Sequence, residues 1–292
     1  MMYNKRYIKE KGMENMFKIG CHISIAGGYK KAAEDILQVG GNTFQYFTRN
    51  PRGGASKELD LKDLQEFKKI YQENQFAPLF AHAPYTMNLS SNKEDVRSFA
   101  KNVLKEDLRK ISKLPESYLI FHPGSHVGQG IEKGSELIIE AINEVVTFES
   151  EVFLLLEGMS GKGTEIGSSF EELKNIIDGI KNNKKVGVCL DTCHLYSAGY
   201  DIKDDLDGVL KEFDKIIGIE KLKGIHINDS KVPFASKKDR HEVLGDGTLG
   251  LDAIVNIINH PLLKDLVFNL ETPNELDGYK KEIDILKKRY RY

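Results

Sequence analysis

Short apolar runs recur along the chain, each followed by a longer segment in which apolar residues return with helical period. Eight such runs stand out: "IGCHIS" (19–24), "TFQYF" (43–47), "APLFAHAP" (77–84), "YLIFHPG" (118–124), "VFLLLEG" (152–158), "VGVCLDTCH" (186–194), "LKGIHIND" (222–229) and "LVFNLET" (266–272). Most are apolar throughout instead of alternating, the pattern of parallel strands covered on both faces. Between them the spacing predicts helices over Leu61–Asn74, Asp95–Lys113, Ser135–Thr147, Phe170–Asn182 and Leu206–Ile217. The tail "KKEIDILKKRYRY" reads as a closing helix whose basic end suits the helix dipole. Eight strand-then-helix units in about 275 residues is the count and length of a single α/β (β/α)8 TIM barrel. An open doubly wound sheet is the competitor, but no G-x-G-x-x-G follows the first run. No linker, composition shift or internal repeat divides the chain. The domain reading is therefore an N-terminal extension over residues 1–16 and one barrel domain over residues 17–292.

The polar residues on those runs give the barrel a working end. His82, His122, Glu157, Asp191, His226 and Glu271 stand at or near the last residues of runs three to eight. In such a barrel the C-terminal strand ends converge on one mouth. A buried His, Asp or Glu is costly unless paired or metal-bound, and "FLLLEG" and "VFNLET" set each Glu directly behind an apolar run. Any one of the six alone reads as structural; six at successive strand ends read as a constellation. After run seven, "SKKDRHEVLGDG" puts Asp239 and His241 two apart, so in an extended segment both point the same way. His194, three beyond Asp191, is free to turn toward a different ion. Nine donors of mixed carboxylate and imidazole type suit zinc or a similar divalent metal, and fit two or three ions with one carboxylate bridging.

Neighbouring features read more plainly. Cys189 lies inside an apolar strand and Cys193 lacks C-x-x-C spacing, so both read as packing residues. In "GMSGKGT" (158–164) the Lys precedes the second Gly, which argues against a nucleotide phosphate loop. His22 and His126 read as hydrogen-bonding neighbours of the site, and His260 as a helix-end residue.

Composition narrows the setting. Hydrophobic residues make up 40% and charged ones 29% of the 292 residues, and the three cysteines make no disulfide framework. No apolar stretch approaches the roughly 20 residues needed to span a bilayer, and the first residues lack a signal-type run. A cytoplasmic protein with no membrane partner is expected. A formal net charge of −2 gives no sign of nucleic-acid binding, so a polyanion would need a locally basic face.

Seven of the nine candidate donors stand in the motifs "HISIAGG", "FTRNPR", "FHPGSH", "DTCHLYSAGYD", "IHINDSK", "DRHEVLGDG" and "NLET". On these the chain resembles the endonuclease IV family, metal-dependent apurinic/apyrimidinic endonucleases of DNA repair, from about Lys18 to near the C-terminus. The resemblance implies a barrel holding three zinc ions (Zn2+). His82, His122 and Glu157 would hold the first; Glu157 would bridge to a second completed by Asp191, His226 and Glu271; His194, Asp239 and His241 would hold the third. Glu157 and Glu271 would be catalytic, orienting the attacking water or taking its proton. The implied reaction is hydrolysis of the phosphodiester 5′ to an abasic site, leaving a 3′-hydroxyl and a 5′-deoxyribose phosphate, together with cleaning of blocked 3′ ends. The implied partner is damaged double-stranded DNA with abasic sites, without a nucleotide cofactor, bound by a monomer. The alternative is a divalent-metal sugar isomerase or epimerase of the same barrel superfamily, which would leave His194, Asp239 and His241 unexplained.

For DNA, the βα-loops offer Arg49 and Arg52 after run two, Lys162 after run five, and Lys231, Lys237, Lys238 and Arg240 after run seven. By resemblance Arg52 and Tyr85, in "TRNPR" and "HAPYTMN", would enter the duplex. Thr86 stands where a larger apolar residue is expected, and "GGAS" after Arg52 lacks an aromatic, so the expected wedge is a smaller one.

Overall fold

All eight apolar runs become parallel strands of one sheet in the computed structural model, which describes residues 16–146 and 151–291. Residues 1–15 of the expected extension, and Thr147 at the end of one expected helix, lie outside the described residues. The strands are β1 (Ile19–Cys21), β2 (Gln45–Phe47), β3 (Leu79–His82), β4 (Ser117–Phe121), β5 (Phe153–Glu157), β6 (Val186–Asp191), β7 (Leu222–Ile227) and β8 (Val267–Leu270). They pair in parallel in the order β1-β8-β7-β6-β5-β4-β3-β2. The two ends of that order meet at a parallel bridge between His22 and Gln45, where the Ile23 amide donates to the Gln45 carbonyl at 2.7 Å. The sheet thus closes on itself as a (β/α)8 barrel, as the sequence predicts.

Around it run α1 (Tyr29–Gln38), α2 (Leu61–Glu73), α3 (Glu94–Ile111), α4 (Ile131–Val145), α5 (Phe170–Gly179), α6 (Thr192–Ala198), α7 (Leu206–Ile216), α8 (Leu251–Asn259) and α9 (Leu276–Arg289). Each long helix lays an apolar stripe on the sheet: Ile36, Phe67, Leu104, Ile142, Ile176, Phe213, Ile254 and Ile283 are fully or almost fully buried. Burial of such a side chain contributes roughly 1.5–3 kcal/mol. Capping fixes where helices begin. Asp60 accepts the Lys62 amide at 2.8 Å to start α2, and Ser169 accepts the Glu172 amide at 3.2 Å to start α5. The strand expected over 186–194 stops at Asp191, because its carboxylate accepts the His194 amide at 2.9 Å and opens α6 instead. None of the described helices is long and apolar enough to cross a membrane.

The barrel interior is filled in layers that follow the two-residue period of a strand. Phe80, Ile120, Leu155, Cys189 and Val267 form an apolar plug inside the barrel. Gly224 on β7 is what admits the Phe80 ring: a Cβ there would lie 2.1 Å from its Cζ. Two residues further along the same strands, on the same inward face, come His82, His122, Glu157, Asp191 and His226. On β8, Asn269 precedes Glu271 in the same way. Between β6 and β7 the pairing shifts, with Val188 opposite Leu222 but Cys189 opposite Gly224, which brings Asp191 level with His226. Such an irregularity beside a site re-aims side chains.

Candidate metal centre

One carboxylate organises the mouth. Glu157 ends β5, is 1% exposed, and faces histidines on both oxygens. Its Oε2 lies 3.0 Å from His82 Nε2 and 3.3 Å from His122 Nε2. Its Oε1 lies 3.2 Å from His226 Nδ1 and 3.3 Å from His194 Nδ1. Glu271 Oε2 approaches His226 Nδ1 at 3.3 Å and Asp191 Oδ2 approaches it at 3.9 Å. Beyond them Asp239 Oδ1 lies 3.4 Å from His194 Nε2 and 3.3 Å from His241 Nε2. All nine residues singled out in the sequence therefore meet. They group as His82–His122–Glu157, as Glu157–Asp191–His226–Glu271, and as His194–Asp239–His241, with donor atoms of each set within 4.8 Å of one another.

The rings are held from behind. His82 Nδ1 faces the Ala83 carbonyl at 2.6 Å, His194 Nδ1 the Gly158 carbonyl at 3.0 Å, and His241 Nδ1 the Glu271 carbonyl at 3.1 Å. A carbonyl only accepts, so each Nδ1 carries a hydrogen and Nε2 is the atom each ring can offer to a cation. His194 Nε2 and His241 Nε2 are buried with no hydrogen-bond partner among the described residues, although Asp239 is within 3.4 Å of both. Close approach without hydrogen-bond alignment is how ligand atoms sit around a common centre. A buried set of imidazoles and carboxylates with orphaned nitrogens fits zinc and similar divalent ions.

The electrostatics agree with a cation site. Burial works against the Glu157 anion, but His226 and His122 outweigh it and hold the carboxyl well below the usual range. Glu271 likewise, against burial, is lowered to about 2, chiefly by His226. Burial disfavours the His194 imidazolium, yet Asp191, Asp239 and Glu157 raise its pKa well above the ordinary value. His226 is raised too, with burial opposed by Cys189, Glu271 and Glu157. Cys189 itself stays a neutral thiol, pushed up to about 11 by burial, so the two carboxylates carry the effect on His226. Without a cation the cluster holds protons in its place.

Cys193 comes nearer the site than its packing reading suggests, since its sulfur shares ligand distance with Asp191 and His241. Burial pushes the thiol up to about 12, and it is spent as a donor to the Arg240 carbonyl at 3.4 Å. It remains a packing residue. His22 and His126 hold loops and neighbours: His22 Nδ1 lies 3.4 Å from the Gln45 amide, and His126 Nδ1 accepts from the amides of Gly128 and Gly130. His260 sits at the C-cap of α8 and faces Asp207.

Two site residues escape sequence reasoning. Gln45 lies inside the barrel between His226 and Glu271, and Asn228 donates to Asp191 Oδ2 at 2.6 Å. The signal for Gln45 was a single amide in the otherwise apolar "TFQYF".

Around the mouth the basic loops divide. Arg52, Lys231 and Arg240 are exposed, with Lys231 Nζ 3.7 Å from Glu242 and Arg240 bonded to the Asp239 carbonyl. Tyr85 is 57% exposed and packs its ring against Phe47, His82 and His122. Arg49 is a correction: it is 8% exposed and bonded to Asp107 at 2.5 Å and Glu106 at 3.2 Å. Its charge is spent inside the protein, because a buried guanidinium requires a buried counter-charge.

The same arrangement of chain is found in known proteins. A family described as a xylose isomerase-like TIM barrel matches residues 33–289. A protein of Alkaliphilus oremlandii named "Probable endonuclease 4" is 55% identical over 94% of this chain and 98% of its own length. One of the same name from Clostridium beijerinckii is 53% identical over 94% and 99%. The crystal structure of endonuclease IV from Thermus thermophilus superposes with a TM-score of 0.83 at 32% identity, covering 93% of this chain and 98% of that one.

Proposed function

The chain belongs to the endonuclease IV family, and from that premise we propose that it is a zinc-dependent hydrolase that cuts DNA on the 5′ side of abasic sites. The products are a 3′-hydroxyl and a 5′-deoxyribose phosphate, and the same site removes blocking groups from 3′ ends. The observation that carries the reading is the sharing of Glu157 between two ligand sets with a third alongside. His82, His122 and Glu157 would hold one zinc ion, Glu157, Asp191, His226 and Glu271 a second, and His194, Asp239 and His241 a third. Zinc bound there supplies Lewis acidity toward a phosphodiester and lowers the pKa of water.

The protein's own groups divide the remaining work. Both Glu157 oxygens are engaged by histidines, so Glu157 is the carboxylate that two ions would share. Glu271 faces His226 Nδ1 with its Oε2, and its side chain is 11% exposed against 1% for Glu157. With its carboxyl lowered to about 2 it is an anion at neutral pH and can orient the attacking water and take its proton at Oε2. Arg52, Lys231 and Arg240 give the mouth a basic rim for the phosphate backbone. Tyr85 offers an aromatic face beside His122 that can fill the space an abasic nucleotide leaves, and extruding a nucleotide without a base costs less than flipping an intact one. The protein acts as a monomer. A sugar isomerase of the same barrel would leave His194, Asp239 and His241 without work.

Turnover on a synthetic duplex carrying one abasic analogue tests the reading. Cleavage 5′ to the lesion with an extendable 3′ end is expected; no cleavage by the zinc-loaded protein, or a cut 3′ to the lesion, would overturn it.

A further inference from the structure

We propose that Gln45 is a positioning residue for the metal centre: its carboxamide selects the ring form of His226 and holds Glu271 beside it. The inference rests on the reading of Glu157, Asp191, His226 and Glu271 as a metal site. Six of the eight barrel strands end at or beside one of the candidate ligands; the inward residue of β2 is Gln45, fully buried. Its Oε1 lies 2.7 Å from His226 Nε2, and its amide nitrogen donates to Glu271 Oε1 and lies 3.4 Å from His22 Nδ1.

The chemistry of these groups allows one arrangement. A carboxylate only accepts, so the NH2 of Gln45 must face Glu271 and its oxygen must face His226. That oxygen needs a donor, so His226 carries its hydrogen on Nε2. The nitrogen left to give up its proton to a cation and offer a lone pair is Nδ1, the atom 3.2 Å from Glu157, 3.3 Å from Glu271 and 3.9 Å from Asp191. With the opposite tautomer, two acceptors would meet at 2.7 Å and an N–H would occupy the ligand position. His82, His194 and His241 are held by main-chain carbonyls, which no substitution removes. His226 alone of these four depends on a side chain. Partners behind a ligand of this kind are worth roughly 10–100-fold in metal affinity.

The test uses the zinc-loaded protein with Gln45→Met, which keeps length and burial but loses both hydrogen bonds. Gln45→Glu is the second variant: it keeps shape and an acceptor toward His226 while setting a carboxylate against Glu271. Zinc per chain is followed by competition with a chromogenic chelator, the His226 ring form by 15N–1H spectra, and folding by melting of the metal-free protein. In Gln45→Met the affinity of one ion should fall about 10–100-fold, the others should hold, and the His226 signal should lose its pure Nε2–H form. Gln45→Glu should lose affinity at the same ion, which carries the test if Gln45→Met does not fold. Wild-type zinc affinity in either folded variant, with only the melting point lowered, overturns the inference by making Gln45 a packing residue. A wild-type chain that binds no zinc at His226 overturns the metal reading itself, a failure visible without any variant.

Discussion

Asp191 accepts the backbone amide of His194 at 2.9 Å, so one residue's helix cap ties together two of the three ligand sets. Its other oxygen takes the Asn228 amide at 2.6 Å and faces His226 at 3.9 Å and His241 at 3.7 Å. The first turn of α6 therefore presents His194 from a cap that the last residue of the strand supplies. The two roles of Asp191 can be separated. Asp191→Asn keeps the cap oxygen but should lose zinc, with some loss of metal-free stability because its NH2 then faces the Asn228 NH2 that Asp191 Oδ2 accepts. Asp191→Ala should lose zinc as well, with a further destabilisation of roughly 0.5–2 kcal/mol from the missing cap. Equal metal-free stability of the two variants, read by calorimetry, would show that the cap contributes nothing.

Protons and zinc should compete at this site. The pKa values of His194 and His226 are raised in the metal-free protein by the carboxylates they face, against the effect of burial. The sign follows: imidazolium contributes stability that is fully present below the unfolded histidine pKa of about 6.5 and is lost as pH rises through the higher folded pKa. Zinc needs the lone pairs that those protons cover. Loading the metal-free protein near pH 7 should thus release protons into the buffer, and affinity should climb with pH beyond that point. Titration calorimetry in buffers of different ionisation heat reads both. Zinc uptake without proton release would contradict the assignment of these rings.

Carboxylates of the same cluster should fail differently. Glu271→Gln should keep fold and DNA binding but lose turnover, by the roughly 10²–10⁴-fold usual for a positioned acid or base. Glu157→Ala should be worse, because it removes a group shared by two ligand sets and with it an ion. Single-turnover rates and zinc content together separate the two outcomes. Wild-type-like kcat in Glu271→Gln would show that its Oε2 has been given the wrong task.

Arginines three residues apart should also part company. Arg52→Ala and Tyr85→Ala should weaken binding and cleavage of an abasic duplex about tenfold or more, the scale of stacking and phosphate contacts, with zinc content intact and steep salt dependence. Arg49→Ala should instead destabilise the protein by about 3–5 kcal/mol, as expected when one partner of a buried pair is removed, because it leaves Asp107 buried without its partner. Binding curves across a salt series, beside melting curves, distinguish them. Salt-insensitive affinity would refute this picture of DNA engagement without touching the metal site.

The barrel was legible because its strands are short and apolar on both faces, and six of the nine candidate ligands because each is a costly residue at or near the end of such a run. Period two then puts His82, His122 and Glu157 on the face of the plug residues Phe80, Ile120 and Leu155. What the sequence hid was set by tertiary contact. Helix α1 starts after Gly28, which has no side-chain cap of its own; its first amides are taken by Asp63 from α2, a signal 34 residues away. Helix α8 follows an uncapped Gly250 in the same way. Arg49 looked like a loop cation because its counter-charge, Asp107, stands 58 positions on. Gln45 was passed over because an amide carries no formal charge to mark it.

Elemental analysis of the purified protein, paired with activity on an abasic duplex during stepwise chelation, tests the central claim most directly. About three zinc ions per chain are expected from the three ligand sets, with cleavage lost as they are withdrawn and regained when zinc is restored. Full activity with a single ion per chain would contradict the account.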